Sequence, residues 1–164
     1  MPPPKASRWL PAHEEKLVAE TQQYCTFYLK DQFLGVPVQK VQEVIRYQEM
    51  TRVPLVPRVI RGLINLRGQI VLAVDLRRRF GMEDRAASEL PMNVVVRTEE
   101  GAVSFLVDEI GDVLEVEEER FEDPPATLKG EARQLIRGVY KLQGQLLLVL
   151  DSERAMETNA AANH

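Results

Sequence analysis

Short apolar runs separated by polar turn residues make up most of this chain, and few of them repeat at the spacing of a helix. Tyr24–Leu29 and Phe33–Val38 are rich in β-forming residues and flank the turn-like segment 30–32, which predicts a hairpin whose second strand ends near Pro37. Residues 92–107 show the same pattern and predict a second hairpin. No helix-periodic run reaches 15 residues, which argues against a layered α/β fold.

An internal repeat is the strongest feature of the sequence. Residues 59–76 align without a gap on residues 135–152, at an offset of 76, and eight of the 18 positions are identical. A weaker similarity upstream extends the two copies to about residues 23–84 and 92–156. Because each half is marginal for a core of its own, we expect the two subdomain repeats to pack on each other and share apolar surface.

Repeated residues indicate where the backbone turns. Gly68 and Gly144 lie where a tight hairpin needs a positive φ, so both are predicted to be structural turn residues. Gly62 and Gly138 are expected to let the backbone bend into the first strand of each hairpin. Two repeated aspartates are predicted to cap the helical turns that follow them: Asp75 caps Leu76–Phe80, and Asp151 caps Ser152–Met156.

The two ends of the chain differ from this core. Residues 1–22 are polar and begin Met-Pro-Pro-Pro, and they predict a flexible arm with a short helix over residues 11–20. Residues 157–164 are small and polar and are expected to be a disordered tail. The domain proper is therefore predicted to span residues 23–156.

Composition narrows the class of protein. The 164 residues are 45% apolar and carry a net charge of −4, which favours a packed core and disfavours nucleic acid as the main partner. A lone cysteine excludes an internal disulfide and fits a cytoplasmic location. The longest apolar runs fall far short of the roughly 20 residues of a membrane-spanning helix, so no direct membrane insertion is expected.

Charge is distributed unevenly along the chain. Residues 46–85 hold nine arginines and four acidic residues, whereas residues 99–123 hold eleven acidic residues and one arginine. Two interpretations stay open: two solvated faces, or a polar molecule that assembles basic half to acidic half. The run Arg77-Arg78-Arg79 lacks the interleaved aromatic residues typical of nucleic-acid binding.

Catalytic patterns are not found in the sequence. It has no phosphate-binding glycine loop, and its two histidines, His13 and His164, lie in the predicted tails. Cys25 lies in a predicted strand and is interpreted as a small buried residue. The prediction is a protein that is not an enzyme, with no catalytic residues, no metal site and no cofactor.

Four short motifs together resemble one protein family. They are Val41-Gln-Glu-Val44, Ile60-Arg-Gly62, Asn65-Leu-Arg-Gly68 and Asp75-Leu-Arg77. Over about residues 22–156 the chain resembles the CheW family, the coupling proteins of bacterial chemotaxis. The resemblance implies a mainly all-β fold of two packed five-stranded SH3-like β-barrels with short helical turns. It also implies a non-enzymatic adaptor that couples the cytoplasmic tips of chemoreceptors to the regulatory domain of the histidine kinase CheA, in the cytoplasm at membrane-associated receptor arrays.

The resemblance also places receptor or kinase contacts around Val41-Gln-Glu43 and in the hairpin from Gly62 to Gly68. For Val41, a place in the core is an equally good interpretation, whereas Glu43 is expected to be exposed. Arg67 is the one difference between the first hairpin turn and its copy, where Gln143 replaces it, so the turn itself does not require arginine. The implied partner-binding residues are Val41, Glu43, Gly62, Asn65 and Arg67.

Two alternatives stay open for the function. One is a CheW-like coupler of a non-flagellar chemosensory array that controls pilus motility or a second messenger. The other is an SH3-like barrel that binds nucleic acid.

Overall fold

Ten strands joined by short helical segments make up residues 20–157, the part of the chain that the computed structural model describes. The strands are β1 (Thr21–Leu29), β2 (Gln32–Pro37), β3 (Val41–Ile45), β4 (Ile60–Leu66), β5 (Gln69–Asp75), β6 (Met92–Thr98), β7 (Gly101–Val107), β8 (Glu109–Glu117), β9 (Ile136–Leu142) and β10 (Gln145–Leu150). The α-helices are α1 (Leu76–Arg79), α2 (Gly130–Leu135) and α3 (Ser152–Met156), and 3-10 turns cover Val38–Lys40 and Glu118–Arg120. The predicted mainly all-β fold class is confirmed.

The strands form two five-stranded sheets of the same design. Sheet 1 has the order β8-β1-β2-β10-β9, and sheet 2 has the order β3-β6-β7-β5-β4. In each sheet, one parallel pair joins a hairpin to three further strands: β2 with β10 in sheet 1, and β7 with β5 in sheet 2. Replacing every strand by its counterpart in the other sequence repeat converts one order into the other, so the repeat relates the two sheets.

The boundaries of the sheets differ from those of the predicted subdomain repeats, 23–84 and 92–156. Sheet 2 is built from the continuous segment 41–107, whereas sheet 1 combines strands from both ends of the described chain. The physical reason is an exchange of hairpins. The first hairpin of each repeat pairs with the last three strands of the other repeat, so neither repeat contains a complete sheet.

Each sheet curls until its outer strands approach each other. The chain that leaves β3 forms a bridge between Thr51 and Leu63 of β4, and the chain that leaves β8 forms a bridge between Glu122 and Val139 of β9. Both bridges carry paired backbone hydrogen bonds of 2.8–2.9 Å. Because β3 and β4, like β8 and β9, are the two ends of their sheet, these bridges close each sheet towards a barrel.

One apolar core is shared by the two sheets. Phe27 and Leu34 of sheet 1 are buried in the same cluster as Val74 and Phe105 of sheet 2. Their burial removes large apolar side chains from water, which is the main favourable term in folding. The expectation that the halves share apolar surface matches this cluster.

Both predicted hairpins are present, and β2 ends at Pro37 as expected. The first strand begins earlier than predicted, because Thr21 already pairs with Glu117 of β8, so residues 21–22 belong to the sheet rather than to the arm. The helix predicted over residues 11–20 and the tail after residue 157 lie outside the described residues, apart from Glu20 and Glu157.

The predicted aspartate caps are confirmed. A carboxylate oxygen of Asp75 accepts a hydrogen bond from the Arg77 backbone N–H (3.0 Å), and Asp151 accepts one from the Arg154 backbone N–H (3.1 Å). Each cap satisfies a donor in the first turn of a helix that follows a buried strand. The short helix α2 has no counterpart in the sequence prediction, because its six residues, which begin with Gly130, are too few to show a helical period.

An ion network joins the two sheets where the chain passes from β7 to β8. Asp108 lies 2.7 Å from Arg77 and 2.8 Å from Arg85, and it accepts a hydrogen bond from the Lys30 backbone N–H (2.6 Å). Arg85 also pairs with the buried Asp75 (3.1 Å). Burial alone would raise the pKa of Asp108, but the hydrogen bonds from Arg77 and Lys30 and the charge of Arg85 hold it below its ordinary value. Since Lys30 lies in the turn of sheet 1, this network fixes that turn against sheet 2.

Candidate partner-binding site

The closing of sheet 2 brings together two residues that are 24 positions apart in the sequence. Glu43 lies on β3, at one end of the sheet order, and Arg67 lies in the turn after β4, at the other end. Their side chains form an ion pair and a hydrogen bond from the guanidinium to the carboxylate. Two of the predicted partner-binding residues therefore form a single surface feature.

The hairpin turn holds Arg67 outward by a specific backbone geometry. Arg67 has a φ of 50° and Gly68 a φ of 90°, the pair of positive angles that a tight two-residue hairpin requires. The side-chain oxygen of Asn65 accepts a hydrogen bond from the Gly68 N–H (2.9 Å) and holds the turn closed. In the second copy, Gly144 has the predicted positive φ, 85°, but Gln143 is not among the residues with positive φ, so the two turns differ in backbone as well as in sequence.

The expectation that Glu43 is exposed is wrong. Its side chain is 18% exposed, whereas that of Arg67 is 73% exposed. The hydrogen bond from Arg67 lowers the pKa of Glu43 although desolvation opposes this, and a weaker hydrogen bond from Gln42 (3.4 Å) acts in the same direction. Glu43 therefore stays ionised and orients the guanidinium, and Arg67 is the residue that meets solvent.

Two other predicted partner-binding residues make contacts inside the protein. Val41 packs against the core shared by the sheets, which agrees with the alternative interpretation of this residue. Gly62 is buried, and a Cβ at this position would lie 2.6 Å from the carbonyl oxygen of Thr51. Gly62 thus admits the bridging segment of the chain, and any effect on a partner passes through the position of that segment.

The surface around the ion pair includes residues that the sequence did not indicate. The Gln42 side chain donates a hydrogen bond to the Gln69 side chain (3.3 Å), which connects β3 to the second strand of the hairpin. Val44, next to Glu43, exposes 37% of its surface. Their signal in the sequence was weak, because glutamines and a single exposed valine are common on any strand.

This arrangement offers recognition chemistry. Arginine presents five N–H donors in a rigid fork, and Glu43 occupies only part of them. Among residues 20–157 no group of three histidine, cysteine or acidic side chains is placed to hold a metal ion. Burial raises the pKa of the partly buried Cys25 thiol, which works against formation of a reactive thiolate. The exposed donors of Arg67 suit an acidic or carbonyl-rich partner surface.

Comparison with known proteins gives a consistent result. A family described as the CheW-like domain matches residues 23–160. The chain is 30% identical over 149 residues to the chemotaxis protein CheW of Klebsiella aerogenes, covering 90% of each chain, and 27% identical over 136 residues to that of Treponema pallidum, covering 80% of each chain. The crystal structure of the scaffolding protein TtCheW from Thermoanaerobacter tengcongensis is similar, with a TM-score of 0.77, 26% identity, and coverage of 85% of this chain and 95% of that chain.

The match extends from β1 to beyond α3, and the solved scaffold shares the two-sheet fold. The sequence motifs, the family match and the structural similarity therefore cover the same residues, which are nearly all of the described chain. The chain belongs to the CheW family of chemotaxis proteins.

Proposed function

We propose that this protein is a non-enzymatic adaptor that couples the cytoplasmic tips of chemoreceptors to the regulatory domain of the histidine kinase CheA. The observation that carries the proposal is the family match over residues 23–160, shared with relatives named as chemotaxis proteins and with a solved scaffolding protein. Membership in this family favours coupling over nucleic-acid binding. The adaptor acts without turnover, because it places a kinase beside a receptor so that contacts transmit the receptor state.

Within this proposal, Arg67 is the residue that a partner meets directly. Its guanidinium is 73% exposed and is oriented by Glu43, so a partner carboxylate or carbonyl can accept from the remaining N–H groups. Orientation by Glu43 also reduces the side-chain entropy that is lost on binding. Val41, Gly62 and Asn65 support the site through the core, the bridging segment and the turn.

The proposed location follows from the proposed partners. An adaptor for receptor tips and CheA works in the cytoplasm and is recruited to receptor arrays at the membrane through protein contacts. Within residues 20–157, no helix has both the length and the apolar character needed to cross a membrane.

The change Arg67→Gln tests the proposal, since it gives the first turn the residue of the second. We expect the variant to fold normally, with a free energy of unfolding within about 0.5 kcal/mol of the parent, because the residue is exposed and glutamine, like arginine, is unbranched at Cβ where φ is 50°. We expect it to lose about 1–3 kcal/mol of binding free energy to a receptor-tip fragment or to the CheA regulatory domain. Calorimetric titration of each partner into the full chain measures this loss.

A matched control is available on the other sheet. Arg120 is 71% exposed and pairs with Glu117 at 2.7 Å, so Arg120→Gln removes an equally exposed, equally paired arginine. The control is expected to bind both partners as the parent does. If Arg67→Gln bound both partners as tightly as the parent, Arg67 would have no role in binding. If the variant failed to fold, the role of Arg67 would be structural.

A further inference from the structure

A large cleft lies at the opposite end of β4 from the Arg67 turn. The segment between β3 and β4 folds back and, with the start of β4 and helix α1, encloses a space of about 810 Å³. Its wall is formed by Tyr47, Met50 and residues 52–58 of this segment together with Ile60, Arg61 and Arg78. None of the partner-binding residues implied by the resemblance lines this cleft, so it is a separate feature of the same sheet.

Four arginines and no acidic side chain line the cleft. Asp84, outside the lining, pairs with Arg58 and with Arg78 at 2.9 Å each, and the buried Asp75 beneath the wall pairs with Arg61 at 3.0 Å. Arg52 makes no ion pair with any residue in the described part of the chain. The two carboxylates that serve the wall do not balance its four guanidinium groups, because Asp75 is also shared with Arg85 outside the cleft. The cleft is therefore positively charged.

Leu55 stands at the edge of the cleft in a strained conformation. Its side chain is fully exposed, and its φ is 60°, in the left-handed region that leucine rarely adopts. This geometry costs about 1–2 kcal/mol relative to ordinary backbone. Pro54 and Pro57 flank the residue and limit the ways in which the loop can relax. Backbone strain of this kind clusters at ligand clamps, active sites and switch regions, so Leu55 points to a functional surface.

Arginines around an apolar centre are typical of a surface that binds protein, rather than of a groove that binds nucleic acid. Interface hot spots are rich in arginine, and their centres are apolar and sheltered from water. Tyr47 is the one aromatic residue in the lining, which gives little of the stacking that single-stranded nucleic acid needs.

We propose that this cleft binds an acidic segment of a partner protein, with carboxylates on both sides of an apolar residue. The apolar residue packs on Leu55 and the neighbouring prolines, and the carboxylates pair with Arg52 and Arg58 at the exposed edge of the wall. This inference goes beyond the adaptor function, because it adds a contact surface that is independent of Arg67.

Titration of labelled peptides into the full chain tests the proposal. The probe is a fluorescein-labelled peptide in which glutamates flank a central pair of leucines, and its counterpart has glutamine at every glutamate. We expect the acidic peptide to bind at least about tenfold more tightly than the glutamine peptide, and its affinity to fall as salt rises from about 50 to about 500 mM. Absence of binding, or equal affinity for the two peptides, would overturn the proposal.

Two cleft variants locate the binding: Leu55→Gly, and the double change of Arg52→Ser with Arg58→Ser. Leu55→Gly suits the positive φ and so keeps the loop geometry while it removes the apolar anchor, and the pair Arg52→Ser and Arg58→Ser removes two exposed charges. Each is expected to weaken binding of the acidic peptide about tenfold or more, while Arg120→Gln leaves it unchanged. Unchanged binding in the cleft variants would refute the site. Sedimentation that shows self-association of the parent, lost in the arginine pair, would assign the cleft to a second copy and refute it as well.

Discussion

The repeated glycines of this protein meet two different physical needs. At Gly68 and Gly144 a Cβ would find open space, so glycine is needed there for its positive φ alone. At Gly62 and Gly138 a Cβ would lie 2.6 Å from a backbone oxygen of Thr51 or of Glu122, so glycine is needed there for close approach of the chain. The same residue type thus serves turn geometry at one end of a strand and barrel closure at the other.

Substitution of Gly68 separates conformational cost from steric cost. Gly68→Val places a β-branched residue at a φ of 90° with nothing within 4 Å, and we expect a loss of about 1 kcal/mol or more in the free energy of unfolding. Gly144→Val is expected to behave in the same way. Gly68→Asn is the control, since asparagine tolerates left-handed backbone better than other residues. Chemical denaturation of all three variants gives the answer, and stability equal to the parent for both valine variants would contradict it.

Single residues show how far the sequence could predict the site. The need for positive φ at Gly68 and Gly144 follows from local turn chemistry, so it was predicted correctly. The contact of Glu43 with Arg67 depends on the curling of sheet 2, which no local pattern specifies, and the exposure of Glu43 was therefore predicted wrongly. Residue types reveal local backbone needs, whereas contacts across the ends of a sheet require its topology.

At the scale of elements, the ion network around Asp108 connects the turn of one sheet to the other sheet. Its members come from the β1–β2 turn, helix α1, the segment after α1 and the β7–β8 junction. Two arginines, Arg77 and Arg85, would be left with fewer partners in a nearly water-free site if Asp108 lost its charge. Breaking a buried ion pair by removing one partner is strongly destabilising.

We therefore expect Asp108→Asn to lower the free energy of unfolding by about 3 kcal/mol at neutral pH. Because the pKa of Asp108 is lower in the folded chain, its contribution is present above the ordinary aspartate pKa of about 3.9 and is lost as pH falls through the lower folded pKa. The difference between parent and variant should therefore shrink below about pH 4. Denaturant unfolding at a series of pH values measures it.

The control for this prediction is Asp112→Asn, which changes an exposed carboxylate on the neighbouring strand β8. It is expected to stay within about 0.5 kcal/mol of the parent, as surface substitutions usually do. Parallel pH curves for the parent and Asp108→Asn would show that the network does not depend on the charge of this residue.

For the whole molecule, the repeat and the sheets divide the chain at different places. The offset of 76 residues made the repeat visible in the sequence, and the number of strands per sheet agreed with the resemblance. The exchange of hairpins was not visible, because a hairpin of either repeat satisfies the same apolar pattern in either sheet. Which of the two hairpins joins which sheet is therefore decided by side-chain packing, as seen in the core that the two sheets share.

Two fragments of similar length test this division. Fragment 38–108 holds all strands of sheet 2, whereas fragment 20–88 holds one sequence repeat and parts of both sheets. We expect fragment 38–108 to unfold cooperatively at a lower temperature than the full chain, since it loses the core contributed by sheet 1. Fragment 20–88 is expected to show no cooperative transition. Thermal circular dichroism distinguishes the two, and the reverse result would mean that the repeat is the folding unit.

The exchange of hairpins also determines the order in which the two sheets can fold while the chain is being synthesised. Leu34 of β2 finds its parallel partner in Leu148 of β10, 114 positions later, so sheet 1 cannot be completed while the ribosome is still making the second half. At about 5–20 residues per second, the first hairpin waits roughly 6–23 s, with apolar Phe27 and Leu34 exposed. Sheet 2 is finished first and can shelter that hairpin through the shared core. A nascent chain that stalls between β7 and β10 would therefore carry one completed sheet and one hairpin with unpaired strand edges and exposed apolar side chains. Such a hairpin is the kind of segment that chaperones bind.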